Sequence, residues 1–229
     1  MKKNVFITGA SGNLGKAAVE KFLNEGYQVI ATTSSGKTLG FTVAGDIETV
    51  EADLTNESAV SEVINTVIAR HQTIDVALLL VGVFGAGGIK ETDGALLKKM
   101  YSLNFETAYF SVRPIFAQME KQGGGRIVLV GSRPSLHPTE GKDFLAYALS
   151  KSLLFKLAEF LNAEGAAKNI VTHVIVPSVI DTAANRKANP SAKFSDWVTP
   201  EEIAETMAFI TSEKAKAVRE PVVKIYGKS

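Results

Sequence analysis

The sequence predicts an α/β fold: a doubly wound parallel sheet of about seven strands flanked by helices, in a single domain over residues 1–229. Three observations carry that expectation. Short β-branched runs recur along the chain, and longer segments of helical periodicity separate them. Several runs, such as Val76-Ala77-Leu78-Leu79-Leu80-Val81, are apolar without alternation, as strands covered on both faces require. Right-handed crossovers between such strands wind the sheet outward in two directions.

The first strand is expected over 5–8; it runs into a glycine-rich turn and a helix over 14–24. Strands over 29–32 and 50–52 follow. Asn56 is placed to cap a helix over 57–69, because its side chain can accept from a first-turn N–H. A long strand over 74–81 leads to the longest helix, 95–121, then a strand over 127–130 and a helix over 144–164. The sixth strand is 170–176. Thr199 is expected to cap the helix over 200–210, with Pro200 at its first position, where a missing N–H costs nothing. The seventh strand is 222–226. Between 177 and 198 lies the longest connection, and a substrate lid is expected over about 183–198, since connections of that length are usually functional or disordered.

A chain of 229 residues, 45% hydrophobic, can bury a large core. Its formal net charge of +1 lacks the basic excess that nucleic acid demands, and Lys214, Lys216 and Arg219 read as a solvated face. The absence of cysteine excludes disulfides and thiolate metal sites, and no metal site is expected. No apolar run approaches the roughly 18 residues of a membrane span. The run after Met1-Lys2-Lys3 is too short for a signal segment, so a cytoplasmic protein without membrane contact is expected.

Two motifs carry chemistry. Thr8-Gly9-Ala10-Ser11-Gly12-Asn13-Leu14-Gly15 falls where the first strand turns into the first helix. There Gly9 permits the tight turn, Gly12 lets backbone approach a pyrophosphate, and Gly15 allows close packing, while helix N–H groups face the anion. Far downstream, Tyr147 and Lys151 stand one helical turn apart, fifteen residues after Ser132. A phenol held beside an ammonium is suited to proton transfer. Dinucleotide loop and phenol–ammonium pair together point to nicotinamide-dependent redox chemistry in a Rossmann-type fold.

The end of the second strand reads Ile30-Ala31-Thr32-Thr33-Ser34-Ser35-Gly36-Lys37, without the carboxylate that often binds the ribose hydroxyls. Hydroxyls and Lys37 suit a 2′-phosphate, so NADP(H) is the expected cofactor, with NAD(H) second. Asp53 is a candidate for the adenine edge or for capping the next turn. Of the histidines, His71 reads as a helix end and His173 as part of an apolar strand, which leaves His137 as a candidate pocket residue.

These residues resemble the short-chain dehydrogenase/reductase family along the whole chain. The resemblance implies a catalytic set of Ser132, Tyr147, Lys151 and Asn104. Tyr147 is then the general acid, its pKa brought toward neutrality by Lys151; Ser132 holds the substrate oxygen, and Asn104 holds a relay water. It also implies cofactor contacts from Gly9, Ser11, Gly12, Asn13, Leu14, Gly15, Thr33, Asp53, Leu54, Val81, Gly82, Tyr147, Lys151, Pro177, Val179 and Thr182. The Ser132–Tyr147 interval is about two residues longer than usual, and Ser135 is the alternative donor. A small-molecule substrate would meet Phe84, Ser135, His137 and Trp197, although Trp197 could equally anchor the lid. A homo-oligomer, tetramer or dimer, is implied through the long helices.

Segments 81–88 and 181–187, with Asn189-Pro190, Phe194-Ser195 and Trp197, look like those of dihydropteridine reductases within the family. Pterin reduction is therefore the alternative to carbonyl reduction. A dinucleotide sensor without turnover is the alternative of another class.

Overall fold

In the computed structural model, which describes residues 2–228, β1 (Asn4–Thr8) is buried along its whole length between β2 (Gln28–Thr33) and β4 (Val76–Leu79). The sheet is completed by β3 (Ile47–Glu51), β5 (Gly125–Val130), β6 (Ile170–Pro177) and β7 (Val222–Ile225). Its order is β3-β2-β1-β4-β5-β6-β7, and every neighbouring pair is parallel. Strand order reverses between β1 and β4, the topological switch point at which such sheets open a crevice.

The helices are α1 (Asn13–Asn24), α2 (Glu57–His71), α3 (Gly94–Tyr101), α4 (Thr107–Gln122), α5 (Pro138–Gly141), α6 (Leu145–Gly165), α7 (Ala183–Ala188) and α8 (Pro200–Thr211). Successive strand residues serve opposite cores, which is why the runs are apolar without alternation. Val5 and Ile7 of β1 and Val76 and Leu78 of β4 pack with Ala18 and Phe22 of α1 and Ile203 and Met207 of α8. Phe6, Ala77 and Leu79 face the other way, onto Ile64 of α2, Ile115 and Met119 of α4, and Leu154 of α6.

The expected caps form. Asn56 accepts from Ala59 N–H at 3.1 Å, and Thr199 and Glu202 make a reciprocal capping box ahead of α8.

Four boundaries differ from expectation. β3 starts at Ile47 and excludes Ala52; it is an edge strand, half exposed, whose Glu48, Thr49 and Glu51 blur the apolar signal. β4 covers only 76–79 of the expected 74–81, because Leu80 N–H leaves the ladder for Thr8 Oγ1 at 3.0 Å. The long helix is split into α3 and α4 by one turn of π-helix, Ser102–Glu106. The connection expected to be irregular contains α7 and a 3₁₀ turn at Phe194–Asp196. Its two ends are tied together, Asp181 N–H donating to Val198 O at 2.8 Å and Val198 N–H to Val179 O at 3.2 Å.

Candidate active site

At the carboxyl end of β1, Gly9 adopts φ +68°, in the left-handed region that glycine tolerates. Gly12 N–H then closes a turn on Gly9 O at 3.0 Å. Gly15 is required for space: a Cβ there would lie 2.1 Å from Gly9 O and 2.7 Å from Ala10 Cα. The helix packs on its own preceding loop more closely than any side chain permits, a tighter constraint than the strand contact expected. α1 starts with no side-chain cap, so the free N–H groups of its first turn, from Asn13, Leu14 and Gly15, form a positive pole. Leu14 packs into the α1-side core and Ser11 is exposed beside the turn. This cradle fits a pyrophosphate.

Thr33 is buried at the end of β2 and is paired with Glu51 of β3. The expectation that no carboxylate stands here needs correction. Glu51 Oε2 accepts from Ser35 Oγ at 3.3 Å and from Gly36 N–H at 3.2 Å, so a neighbouring strand supplies the charge that β2 lacks. Only sheet register brings Glu51 to this loop, and local sequence carries no sign of it. Asp53 Oδ1 accepts from Thr55 N–H at 3.0 Å and Thr55 Oγ1 at 2.6 Å, which holds its carboxyl below the usual range. That is the turn-capping reading; Leu54 packs beside it against the core.

Tyr147 lies in the first turn of α6, at the carboxyl end of β5, where Ser132 is buried. The longer Ser132–Tyr147 interval is taken up by a 3₁₀ turn at Arg133–Ser135 and by α5. Ser132 stands beside the Tyr147 hydroxyl and acts to lower its pKa, and its Oγ lies 2.6 Å from Ser135 Oγ. Sequence made Ser132 and Ser135 alternatives; the structure joins them. Burial raises the Tyr147 pKa, and the neighbouring Ser132 hydroxyl opposes that only in part. The expected drop toward neutrality is therefore absent in this state, because Lys151 aims elsewhere. Its ammonium donates to Val130 O at 2.7 Å, is 4% exposed, and is pushed down to about 8 by burial.

Asn104 is fully buried within the π turn, a distortion found mostly at functional sites. Its Nδ2 donates to Val83 O at 3.1 Å and Ser150 Oγ at 3.1 Å, while Oδ1 accepts from Val83 N–H at 2.7 Å. Both polar atoms of the side chain are thus engaged by protein partners. Val81 borders Gly9: a Cβ on Gly9 would lie 3.2 Å from Val81 N. Gly82 is pressed against the catalytic groups, where a Cβ would lie 2.8 Å from Lys151 Nζ and 2.9 Å from Asn104 Oδ1. Sequence reading missed Ser150, which links Asn104 to Tyr147 O at 2.8 Å.

Phe84 is 63% exposed and flanks Tyr147, its ring 5.2 Å from the phenol ring and 5.1 Å from Phe144. His137 does not join them. It turns to Tyr226, Nε2 to Oη 3.4 Å, and lines a cavity of about 470 Å³ with Leu136, Glu220, Val222 and Lys224 beside edge strand β7. Trp197 packs on Phe194 at 5.0 Å, and Phe194 in turn lies under the Arg186 guanidinium at 4.8 Å, so Trp197 is part of the packing within the 183–198 connection. Pro177 ends β6, Val179 O accepts from Val198 N–H, and Thr182 Oγ1 accepts from Asn185 N–H at 3.2 Å as the cap of α7. His71 sits at the end of α2, 2.7 Å from Glu48, and His173 is buried in β6, as expected. Among the described residues no cluster of metal-ligating side chains occurs and no helix is long and apolar enough to cross a membrane.

Known proteins share this arrangement. Residues 3–193 match the family model for short chain dehydrogenase. The 3-oxoacyl-(acyl-carrier-protein) reductase of Buchnera aphidicola subsp. Acyrthosiphon pisum is 28% identical over 237 residues, covering 95% of this chain and 93% of that protein. The cyclic-di-GMP-binding biofilm dispersal mediator protein of Escherichia coli K12 is 27% identical over 224 residues, covering 94% and 92%. The solved structure of ElxO with NADP bound has a TM-score of 0.91 at 26% identity, covering 99% of this chain and 98% of that one. With a matching model over most of its length and a parallel seven-stranded sheet beneath it, this chain belongs to the short-chain dehydrogenase/reductase family of NAD(P)-dependent oxidoreductases.

Proposed function

We propose that the protein reduces a small carbonyl compound, with Tyr147 as the proton donor and NADP(H) favoured over NAD(H). The observation that carries this reading is the meeting of buried Ser132, held by Ser135, with Tyr147 in the first turn of α6 and Lys151 buried one turn beyond. The nicotinamide, when bound, supplies the hydride. The protein has to supply a proton and hold the developing oxyanion. Burial keeps the Tyr147 phenol protonated at neutral pH, the state that reduction requires. Ser132 donates a second hydrogen bond to the oxygen, and Ser135, 2.6 Å from it, orients that hydroxyl. Lys151 steadies the phenolate left behind. Asn104 acts by position, fixing the backbone at 82–84 against Lys151. Ser34 and Lys37 at the end of β2 favour a 2′-phosphate, against the Glu51 carboxylate that Ser35 holds.

Tyr147→Phe should lower kcat by about 10²–10⁴-fold while leaving cofactor affinity within a few fold. Equal rates for both forms, with chemistry limiting, would remove Tyr147 from the role. Reduction should fall as pH rises through the raised Tyr147 pKa, and oxidation, which needs the phenolate, should rise over the same range.

Two further readings have specific support. The exposed Phe84 ring beside Tyr147 and Phe144 offers a flat apolar face that suits a dihydropterin, and turnover of a quinonoid dihydropterin but not of carbonyl compounds would favour it. The E. coli relative, a cyclic-di-GMP-binding protein by name, supports a nucleotide sensor, whose function Tyr147→Phe would leave intact. Exposed Tyr101, Tyr109, Leu149, Leu153 and Phe160 on α3, α4 and α6 support self-association into a dimer or tetramer.

A further inference from the structure

The end of β2 carries donors without a carboxylate of its own, yet two of those donors are already taken. Ser35 Oγ and Gly36 N–H converge on one oxygen of Glu51, at 3.3 and 3.2 Å. The geometry of the turn makes them converge: Lys37 N–H closes on Ser34 O at 3.0 Å, and Gly36 holds φ +69°. Nothing lies within 4 Å of a Cβ built on Gly36, so the glycine answers a conformational need and the space beside it is open. Glu51 reaches the loop because the β2–β3 register sets it against Thr33, the last residue of β2.

A hydroxyl and an amide have one proton each to give. We propose that Glu51 is an internal stand-in for the 2′-phosphate of NADP(H), which must displace its carboxylate from Ser35 and Gly36, and that Glu51 thereby sets the balance between NADP(H) and NAD(H). NAD(H) brings no anion to this loop and leaves the carboxylate where it is, free to accept from a ribose hydroxyl. Lys37 draws the phosphate in and Glu51 opposes it, so discrimination is the difference between two opposed charges. This inference rests on the nicotinamide-dependent reading and concerns binding alone.

Calorimetric titration of the wild type and of Glu51→Gln with NADPH, NADH, adenosine 2′,5′-bisphosphate and 5′-AMP tests it. Glutamine keeps the length and removes the charge. The expected result is NADPH and the bisphosphate binding about five- to tenfold tighter in the variant, with NADH and 5′-AMP unchanged or weaker, and the gain shrinking as salt screens the wild-type repulsion. Ser35→Ala, which removes a donor, should weaken NADPH and spare NADH. If Glu51→Gln moves both nucleotides equally or neither, Glu51 merely ties the loop and the proposal is overturned. If neither form binds any nicotinamide nucleotide, the redox reading falls and the inference falls with it.

Discussion

Asn104 closes a two-way clamp on Val83, accepting from its N–H at 2.7 Å and donating to its carbonyl at 3.1 Å. The clamp binds the π turn between α3 and α4 to the strip of backbone that follows β4, and through Ser150 it reaches the first turn of α6. Three elements that carry the candidate site are thus held by one amide.

Replacing it should be costly. Asn104→Ala leaves the Val83 N–H and carbonyl without their partner, which should lower unfolding free energy by about 2–4 kcal/mol. Asn104→Asp keeps the acceptor and loses both donations, so it should fall between. Urea denaturation measures both, and an alanine variant as stable as the wild type would show that the clamp contributes nothing.

The glycines of the phosphate loop should separate cleanly. Gly15→Ala forces a Cβ to 2.1 Å from Gly9 O and should cost about 1–3 kcal/mol from overpacking alone, with loss of cofactor binding. At Gly12 the nearest atom to a Cβ is Gly9 O at 3.4 Å and φ is −78°. Gly12→Ala should therefore fold with stability changed by no more than about 0.5 kcal/mol and show its effect only in nucleotide affinity. Thermal melts with and without cofactor distinguish the two cases.

Lys151 makes stability depend on alkaline pH. Its pKa falls from 10.5 to about 8 in the folded chain. Below about 8 the lysine is charged in both states, and the penalty of its burial is fully present. Between about 8 and 10.5 the folded chain sheds the proton while the unfolded chain keeps it, so stability rises with pH. The gain is bounded at about 3 kcal/mol. Lys151→Met should be more stable than the wild type at pH 7, inactive, and matched by it near pH 10. A stability difference that does not vary with pH would contradict the burial penalty.

Strands and helices were legible because both cores draw on the same apolar runs, which leaves little doubt about Val5–Ile7 or Val76–Leu79. β3 was misplaced since an edge strand needs no continuous apolar pattern. The π turn was invisible: nothing in Ser102-Leu103-Asn104-Phe105-Glu106 distinguishes i→i+5 bonding from ordinary helix. Tyr147 and Lys151 could be read as a pair from their spacing within one helix. Glu51 could not be linked to Ser35, since their meeting depends on register between two strands, and the turn of His137 toward Tyr226 could not be foreseen because the direction of a side chain in a loop is not written in its neighbours.

The connection after β6 closes on itself: Val198 bridges Ile180 outside the sheet, giving its N–H to Val179 O and accepting the N–H of Asp181. Its conformational cost of closure is met at that bridge, outside the excursion itself, and depends only weakly on how long the excursion is. Residues between the two sides of the bridge can be lengthened, shortened or exchanged without altering where β6 ends or where α8 begins. The segment is a replaceable cassette set between two fixed elements.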